Sequence, residues 1–374
     1  MTLGFRYPGD WQRAAMVAAV LLALALRLTG GGAPSGVVLA ALLLGAALGF
    51  AVRPVWGNRG LRALVLILLW NALVVAALGL AMPQAGPIGA GFWLAVVAVW
   101  MGGWTLVAHV AELPRARGAW GRVLALVPPV LFGLTVLWAW ETVVRALEVP
   151  RVILPAPSEI GARLVSETPT LWTDLVQTFV RGSLSGFAIG CGAAVLFALV
   201  VDRYPFLRRG LLPVGNFLAA LPIIGTAPIF VMWFGFDWPS KAAVVVAMVF
   251  FPMLVNTVQG LAATDSIQRD LMHTYSAGWW QTLTRLRLPA AMPFVFNGLK
   301  ICATLALIGA IVAEFFGSPT RGMGFRISTE VGRLQLDMVW AEIAVAALLG
   351  SAFYGFWALL ERRVTFWHPS QRGR

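Results

Sequence analysis

The chain has 374 residues, 59% hydrophobic and 12% charged, with 28 Lys and Arg against 16 Asp and Glu and a mean hydropathy of +0.81. So apolar a composition at this length excludes a soluble fold. The net charge of +12 is spread over small arginine clusters rather than one basic face, which points to membrane topology and away from a nucleic-acid partner.

A bilayer span needs roughly 20 mostly apolar residues. Runs of that kind recur at about 14–29, 36–52, 61–82, 88–110, 122–147, 175–201, 210–235, 241–262, 293–313 and 338–360. They predict an all-α, polytopic membrane protein of about ten transmembrane helices. The first run lacks a small-residue cleavage site and is followed by further spans, so it is expected to stay as an anchor. Arginines at 6 and 13, 53 to 62, 115 to 122, 203 to 209, 269 to 287 and 362 to 374 fall on one side, which places both termini and the 264–290 loop in the cytoplasm.

Residues 1–120 form a block of four spans with short loops, joined to residues 121–374 by Leu113-Pro-Arg-Ala-Arg-Gly118. In the second block Glu141 and Arg145 are four apart, the spacing of a local ion pair. Leu154-Pro-Ala-Pro-Ser158 predicts a rigid turn, and the residues after it a short amphipathic surface helix. Gly182, Gly186 and Gly190 then make a stripe of small residues on which another helix can close in. Farther on, Pro222, Gly225 and Pro228 are expected to break a helix at membrane depth, either as a packing kink or beside a translocation path.

Polar groups inside spans are costly and mark candidates for use. Thr226, Met232, Asn256, Thr304 and Glu314, with Pro222 and Pro228, are the path candidates; Lys300 and Glu314 suit either pairing between helices or contact with solute. Cys191 and Cys302 fall within predicted spans and are expected to be small packing residues. The three histidines are scattered, so no metal site is expected. No Gly-x-x-x-x-Gly-Lys-Ser/Thr phosphate cradle occurs, so no catalytic or cofactor site is expected in this chain.

The 264–290 loop holds Asp270, His273, Tyr275, Ser276, Trp279, Trp280, Gln281, Arg285 and Arg287, the polar, aromatic and basic mixture of a docking helix.

Four stretches in order carry a resemblance over about residues 121–365. They are Leu154-Pro-Ala-Pro-Ser-Glu159; Ala227-Pro-Ile-Phe-Val-Met-Trp-Phe-Gly235 with Ser240-Lys241; Phe251-Pro-Met-Leu-Val-Asn-Thr257 leading to Gly260-Leu261; and Leu286-Arg-Leu-Pro-Ala-Ala-Met-Pro293. Together they resemble the permease subunits of ATP-driven, binding-protein-dependent (ABC) importers of the nitrate, sulfonate and taurine branch. The resemblance implies a type I importer permease core; the four spans before it lie outside the resemblance and are expected to form an N-terminal extension. It also implies a cytoplasmic loop with the pattern Glu-Ala-Ala, three residues, Gly, nine residues, Ile, one residue, Leu-Pro. Counting back from Leu288-Pro289 sets Leu286 at the Ile, Ser276 at the Gly and Asp270-Leu271-Met272 at Glu-Ala-Ala, so the match is degenerate at its start.

By the same resemblance a docking helix is expected over about Gln268–Trp280. Asp270 would meet a basic group on the ATPase, and Trp279 and Trp280 would form its apolar floor; the tryptophans equally suit anchoring at the membrane interface. The implied partners are an ABC ATPase subunit holding ATP and Mg, a second permease subunit, a periplasmic or lipid-anchored solute-binding protein, and membrane lipid. The expected site is the bacterial inner membrane and the expected cargo a small solute, with an anion such as sulfonate, nitrate or bicarbonate first. A transport-inactive scaffold, or the passive half of a heterodimer, is the alternative that the degenerate loop permits. A secondary carrier would need inverted repeats and a buried charge chain, and neither is found.

Overall fold

The computed structural model describes residues 92–94, 96, 97, 99–101, 103, 104, 107, 119–204, 206, 207, 209, 210, 223–317 and 320–368. The spans expected at 14–29, 36–52 and 61–82, most of that at 88–110, the start of that at 210–235, and Pro222 lie outside the described residues. Every regular element among the described residues is helical.

The chain divides into two compact units, Met1–Ser158 and Glu159–Arg374. In the first, α1 (Ala119–Ala146) carries Pro128 and Pro129 within it. Trp100, Gly103, Trp104 and Val107 face Phe132 and Thr135 across an apolar hollow of about 210 Å³. The Glu141–Arg145 ion pair forms as spaced, and both side chains also bond Ser158, which ties the Leu-Pro-Ala-Pro-Ser turn to the end of α1.

The predicted amphipathic helix is α2 (Pro157–Ser166). A 36-residue helical run, Thr168–Arg203, comes next as α3 (Thr168–Leu175), a π-helical segment Val176–Leu184 and α4 (Ser185–Arg203). Beyond it lie α5 (Ile223–Phe234) and α6 (Trp238–Ala262). Two short helices, α7 (Ser266–Thr274) and α8 (Trp279–Thr282), lead through a π-helical turn, Leu283–Arg287, into α9 (Leu288–Gly317). The last described helices are α10 (Met323–Gly332) and α11 (Leu336–Val364). Among the described residues five helical runs are long and apolar enough to cross a membrane: Ala125–Ala146, Thr168–Arg203, Trp238–Ala262, Trp279–Gly317 and Leu336–Val364.

α6 is the axis of the second unit, with α4, α5 and α9 packed on it. The core is built largely from small residues: Cys191, Ala194 and Ala198 of α4 meet Val245, Val249 and Met253 of α6 and Cys302, Ala303, Ala306 and Ala310 of α9. In lipid there is little hydrophobic drive between helices, so close van der Waals approach has to supply the attraction, and small side chains permit it. The glycine stripe shows this directly. A Cβ on Gly186 would stand 2.5 Å from Cβ of Val245, and one on Gly190 2.5 Å from Cγ2 of Val249. Cys191 and Cys302 are free, buried packing residues, with the Cys302 thiol 3.4 Å from the Val249 carbonyl.

At Gly225 and Pro228 the expected break does not occur, while Pro222 lies outside the described residues. Among the described residues Ile223–Phe234 is a continuous helix, with Gly225 and Pro228 inside it, and the break comes only at Gly235 (φ 81°). Pro228 removes one N–H from the ladder near the start of this helix, a loss one turn absorbs without ending it.

Candidate functional site

The 264–290 loop joins the end of α6 to the start of α9. It begins with a cap, since the Asp265 carboxylate accepts the Ile267 N–H at the α7 N-terminus. None of the α7 residues is buried; Ile267 is 74% and Leu271 56% exposed, and Asp270 is exposed beside them. Met272 is half-buried. A helix of nine residues this poorly packed is marginal by itself, because tertiary contacts supply most helical stability. Its apolar face is therefore open to a partner.

The expected single helix over 268–280 is instead two. α7 stops at Thr274 with the Ser276 N–H bonded to the His273 carbonyl at 2.8 Å and the Ala277 N–H to the Met272 carbonyl at 3.0 Å. This pair of bonds is a Schellman closure, which requires a left-handed residue, and Ser276 takes that place at φ 50°. The position where the importer pattern carries Gly is thus the one where the backbone needs it. Ser276→Gly is expected to remove the Cβ strain and stabilise the loop by about 0.5 kcal/mol net of glycine's greater freedom when unfolded. Slower amide exchange at Tyr275 and Ala277 would show it; unchanged or faster exchange would count against it.

Past the closure, Trp279 is half-buried against the cluster of Leu261, Leu283 and Ala291, while Trp280 stays 68% exposed. The two indoles meet edge to face at 4.7 Å, and the Arg203 guanidinium lies 5.2 Å from the Trp279 ring centre. These residues, with Leu199, Val200 and Tyr204, line an open groove of about 400 Å³ beside the loop. Leu286, Leu288 and Pro289 are half-buried at the loop's exit, where the π-helical turn comes just before the proline that has no N–H to give.

The path candidates do not gather at one place. Met232 is 84% exposed and Thr304 exposed, while Thr226 and Pro228 are half-buried on α5. Asn256 accepts from the Asn297 amide at 3.1 Å and donates to the Pro252 carbonyl. Lys300 pairs with Glu361 of α11 at 2.7 Å. Glu314 is fully buried, and its carboxylate accepts from Thr178 at 3.0 and 2.8 Å and from the Gly324 N–H at 2.9 Å.

Glu314 belongs to a polar node at the end of α9 opposite the loop, about 45 Å away along its 30 residues. Three N–H groups at the α10 N-terminus are capped there by buried side chains from other elements: Gly322 by Asp174, Met323 by Thr178 and Gly324 by Glu314. At the matching end of α9, Lys241 donates to the carbonyls of Gly317 at 2.9 Å and Phe236 at 2.6 Å. Arg326 bonds the Asp174 carboxylate at 2.9 Å. Partial burial works against the Arg326 charge, but the bond to Asp174 and the nearby Asp174, Glu330 and Glu342 carboxylates outweigh it and hold the guanidinium above its ordinary value. Sequence reasoning passed over Asp174, Lys241, Glu330 and Glu342 as members of this node; the available signal was an acid inside an otherwise apolar run, as at Glu342 in the 338–360 span.

Residues 186–366 match the binding-protein-dependent transport system inner membrane component family. The chain is 32% identical over 244 residues to the formylaminopyrimidine transport permease protein ThiX of Halalkalibacterium halodurans, covering 96% of that protein and 65% of this one. It is 30% identical to the riboflavin transport system permease protein RibX of Chloroflexus aurantiacus, over 62% of this chain and 86% of the relative. With the putative aliphatic sulfonates transport permease protein SsuC of Bacillus subtilis it shares 28% identity over 69% of this chain and 92% of the relative. A helical membrane core and near full-length coverage of such a relative lead to one conclusion: this chain is a multi-pass membrane protein belonging to the binding-protein-dependent ABC importer permeases.

Proposed function

We propose that the chain is the membrane-spanning subunit of an ATP-driven importer, moved by a separate ATPase that docks on the 268–280 region. The observation that carries this is α7: a short helix with an exposed apolar face, buried nowhere, set between two spans that pack tightly on each other. Ile267 and Leu271 supply the contact surface, Asp270 meets a basic group of the ATPase, and Trp279 anchors the region to the core.

ATP and Mg are held by the ATPase, and transport requires a second permease subunit and a solute-binding protein outside the membrane. The loop lies in the cytoplasm with both termini, as the arginine distribution supports. The path runs past Thr226, Pro228, Met232, Asn256 and Thr304, with Glu314 as part of the outer node. The cargo is a small anion of the sulfonate kind, in line with the sulfonate permease relative. A small heterocycle is the second assignment, favoured by the identities to ThiX and RibX. Thermal shifts of the solute-binding protein that works with this chain, with an alkanesulfonate in one arm and formylaminopyrimidine or riboflavin in the other, separate the two.

The coupling test is ATP hydrolysis by the complex in nanodiscs, with Leu271→Asp and Asp270→Ala against wild type. Leu271→Asp is expected to lower affinity for the ATPase about tenfold or more, as loss of a central apolar contact does; Asp270→Ala is expected to have a smaller effect in the same direction. A wild-type protein that neither retains the ATPase nor alters its turnover would instead be a transport-inactive scaffold or the passive half of a heterodimer.

A further inference from the structure

No residue of the docking helix α7 is buried in the core, so the motion of a docked ATPase enters the spans through the two ends of the loop, at the end of α6 and at the exit, residues 279–289. At that point Arg287 joins three segments. Its Nη1 and Nη2 donate to the two oxygens of Asp202, on the last turn of α4, at 2.8 and 2.6 Å. Its Nε and Nη2 also donate to the carbonyl of Leu261, on the last turn of α6, at 3.1 and 3.0 Å. Arg287 itself is the last residue before α9.

Both side chains are largely shielded, 16% exposed for Arg287 and 2% for Asp202. A planar guanidinium that bonds a carboxylate through two nitrogens fixes angle as well as distance. The second pair of bonds satisfies a carbonyl at the C-terminus of α6 that has no partner in its own helix. Beneath the clamp, Leu261, Leu283 and Ala291 are buried together, and a Cβ on Gly260 would stand 2.7 Å from Cβ of Phe294, so α6 and α9 have no slack there.

We infer that Arg287 is the positioning residue that makes the ends of α4, α6 and α9 a single rigid lever, so that force applied at α7 moves three spans together. The inference rests on the proposed docking of an ATPase at 268–280. Arg287 faces the core side of the loop and contacts Asp202 and Leu261 rather than the open surface of α7, so its role is transmission and not docking.

The test compares wild type with Arg287→Ala, Arg287→Lys and Asp202→Asn in nanodiscs or proteoliposomes with the partner ATPase. Three quantities are read: retention of the ATPase, melting temperature, and solute moved per ATP hydrolysed. Arg287→Ala is expected to keep the ATPase bound while solute moved per ATP falls about tenfold, the size of a typical coupling between sites. Arg287→Lys, which keeps the charge but not the fork, is expected to fall between, and Asp202→Asn to resemble Arg287→Ala with less disturbance of packing.

A purely structural role would lower the melting temperature and the total transport but leave solute per ATP unchanged in the surviving protein, and that result would overturn the inference. So would wild-type coupling in all three variants. A wild-type protein that fails to bind the ATPase overturns the docking assignment itself and the inference with it, and is told apart because the loss is then independent of Arg287.

Discussion

Gly186→Val is expected to lower the stability of the purified protein by about 3 kcal/mol, the upper part of the range for overpacking a close interface. The reason is local. The added Cβ alone would stand 2.5 Å from Cβ of Val245 and 2.8 Å from the Ala242 carbonyl, and the second of these is backbone that no rotamer change can move aside. α4 would have to withdraw from α6, opening the row of small residues that continues through Cys191, Ala194 and Ala198. A matched control lies on the same helix: Gly192 is exposed and a Cβ there meets nothing within 4 Å. Gly192→Ala is expected to leave stability unchanged or raise it by up to about 1 kcal/mol, the helix preference of Ala over Gly. Melting in a fixed detergent measures both. Equal effects at the two positions would mean that the stripe does not set the α4–α6 distance.

Periodicity and composition make much of this core legible. Among the described residues the apolar runs at 122–147, 175–201, 241–262, 293–313 and 338–360 fall on the long helices, the glycine spacing identifies the face α4 offers to α6, and the Glu141–Arg145 spacing gives the ion pair. What local pattern does not reveal is where the chain folds back on itself. The split of the loop helix at Ser276 depends on one residue entering the left-handed region, and serine gives little warning of that. Pro228 misled in the other direction, since a proline signals a missing N–H but not whether the neighbouring turn can do without it. Arg287 and Asp202 are 85 residues apart, and Asp174 and Gly322 are 148 apart. Such pairs are set by tertiary approach, and a single sequence shows only that a costly group sits in an apolar run and needs some partner.

That node supplies the other large effect, because two acids in it have opposite expected sensitivities. Asp174 is fully buried, with one oxygen accepting the Gly322 N–H at 2.7 Å and the other the Arg326 guanidinium at 2.9 Å. In Asp174→Asn one of those oxygens becomes an NH₂ group; if it faces Arg326, donor meets donor and the guanidinium loses the buried carboxylate it bonds at 2.9 Å. The expected cost is about 3 kcal/mol, with α10 loosened at its N-terminus. Glu342 is as deeply buried, yet among the described residues neither of its oxygens finds an N–H or O–H donor, and the Asp174 carboxylate lies beside it. Glu342→Gln keeps the shape and replaces an undonated acid with a neutral amide that can itself donate to Asp174. Stability is therefore expected to stay within about 0.5 kcal/mol of wild type or to rise. Amide exchange at Met323 and Gly324, together with melting temperature, distinguishes the two variants. If Glu342→Gln proves the more damaging, Arg326 relies on Glu342 rather than Asp174, and the α10 N-terminus is held by Thr178 and Glu314 without help from the Asp174 charge.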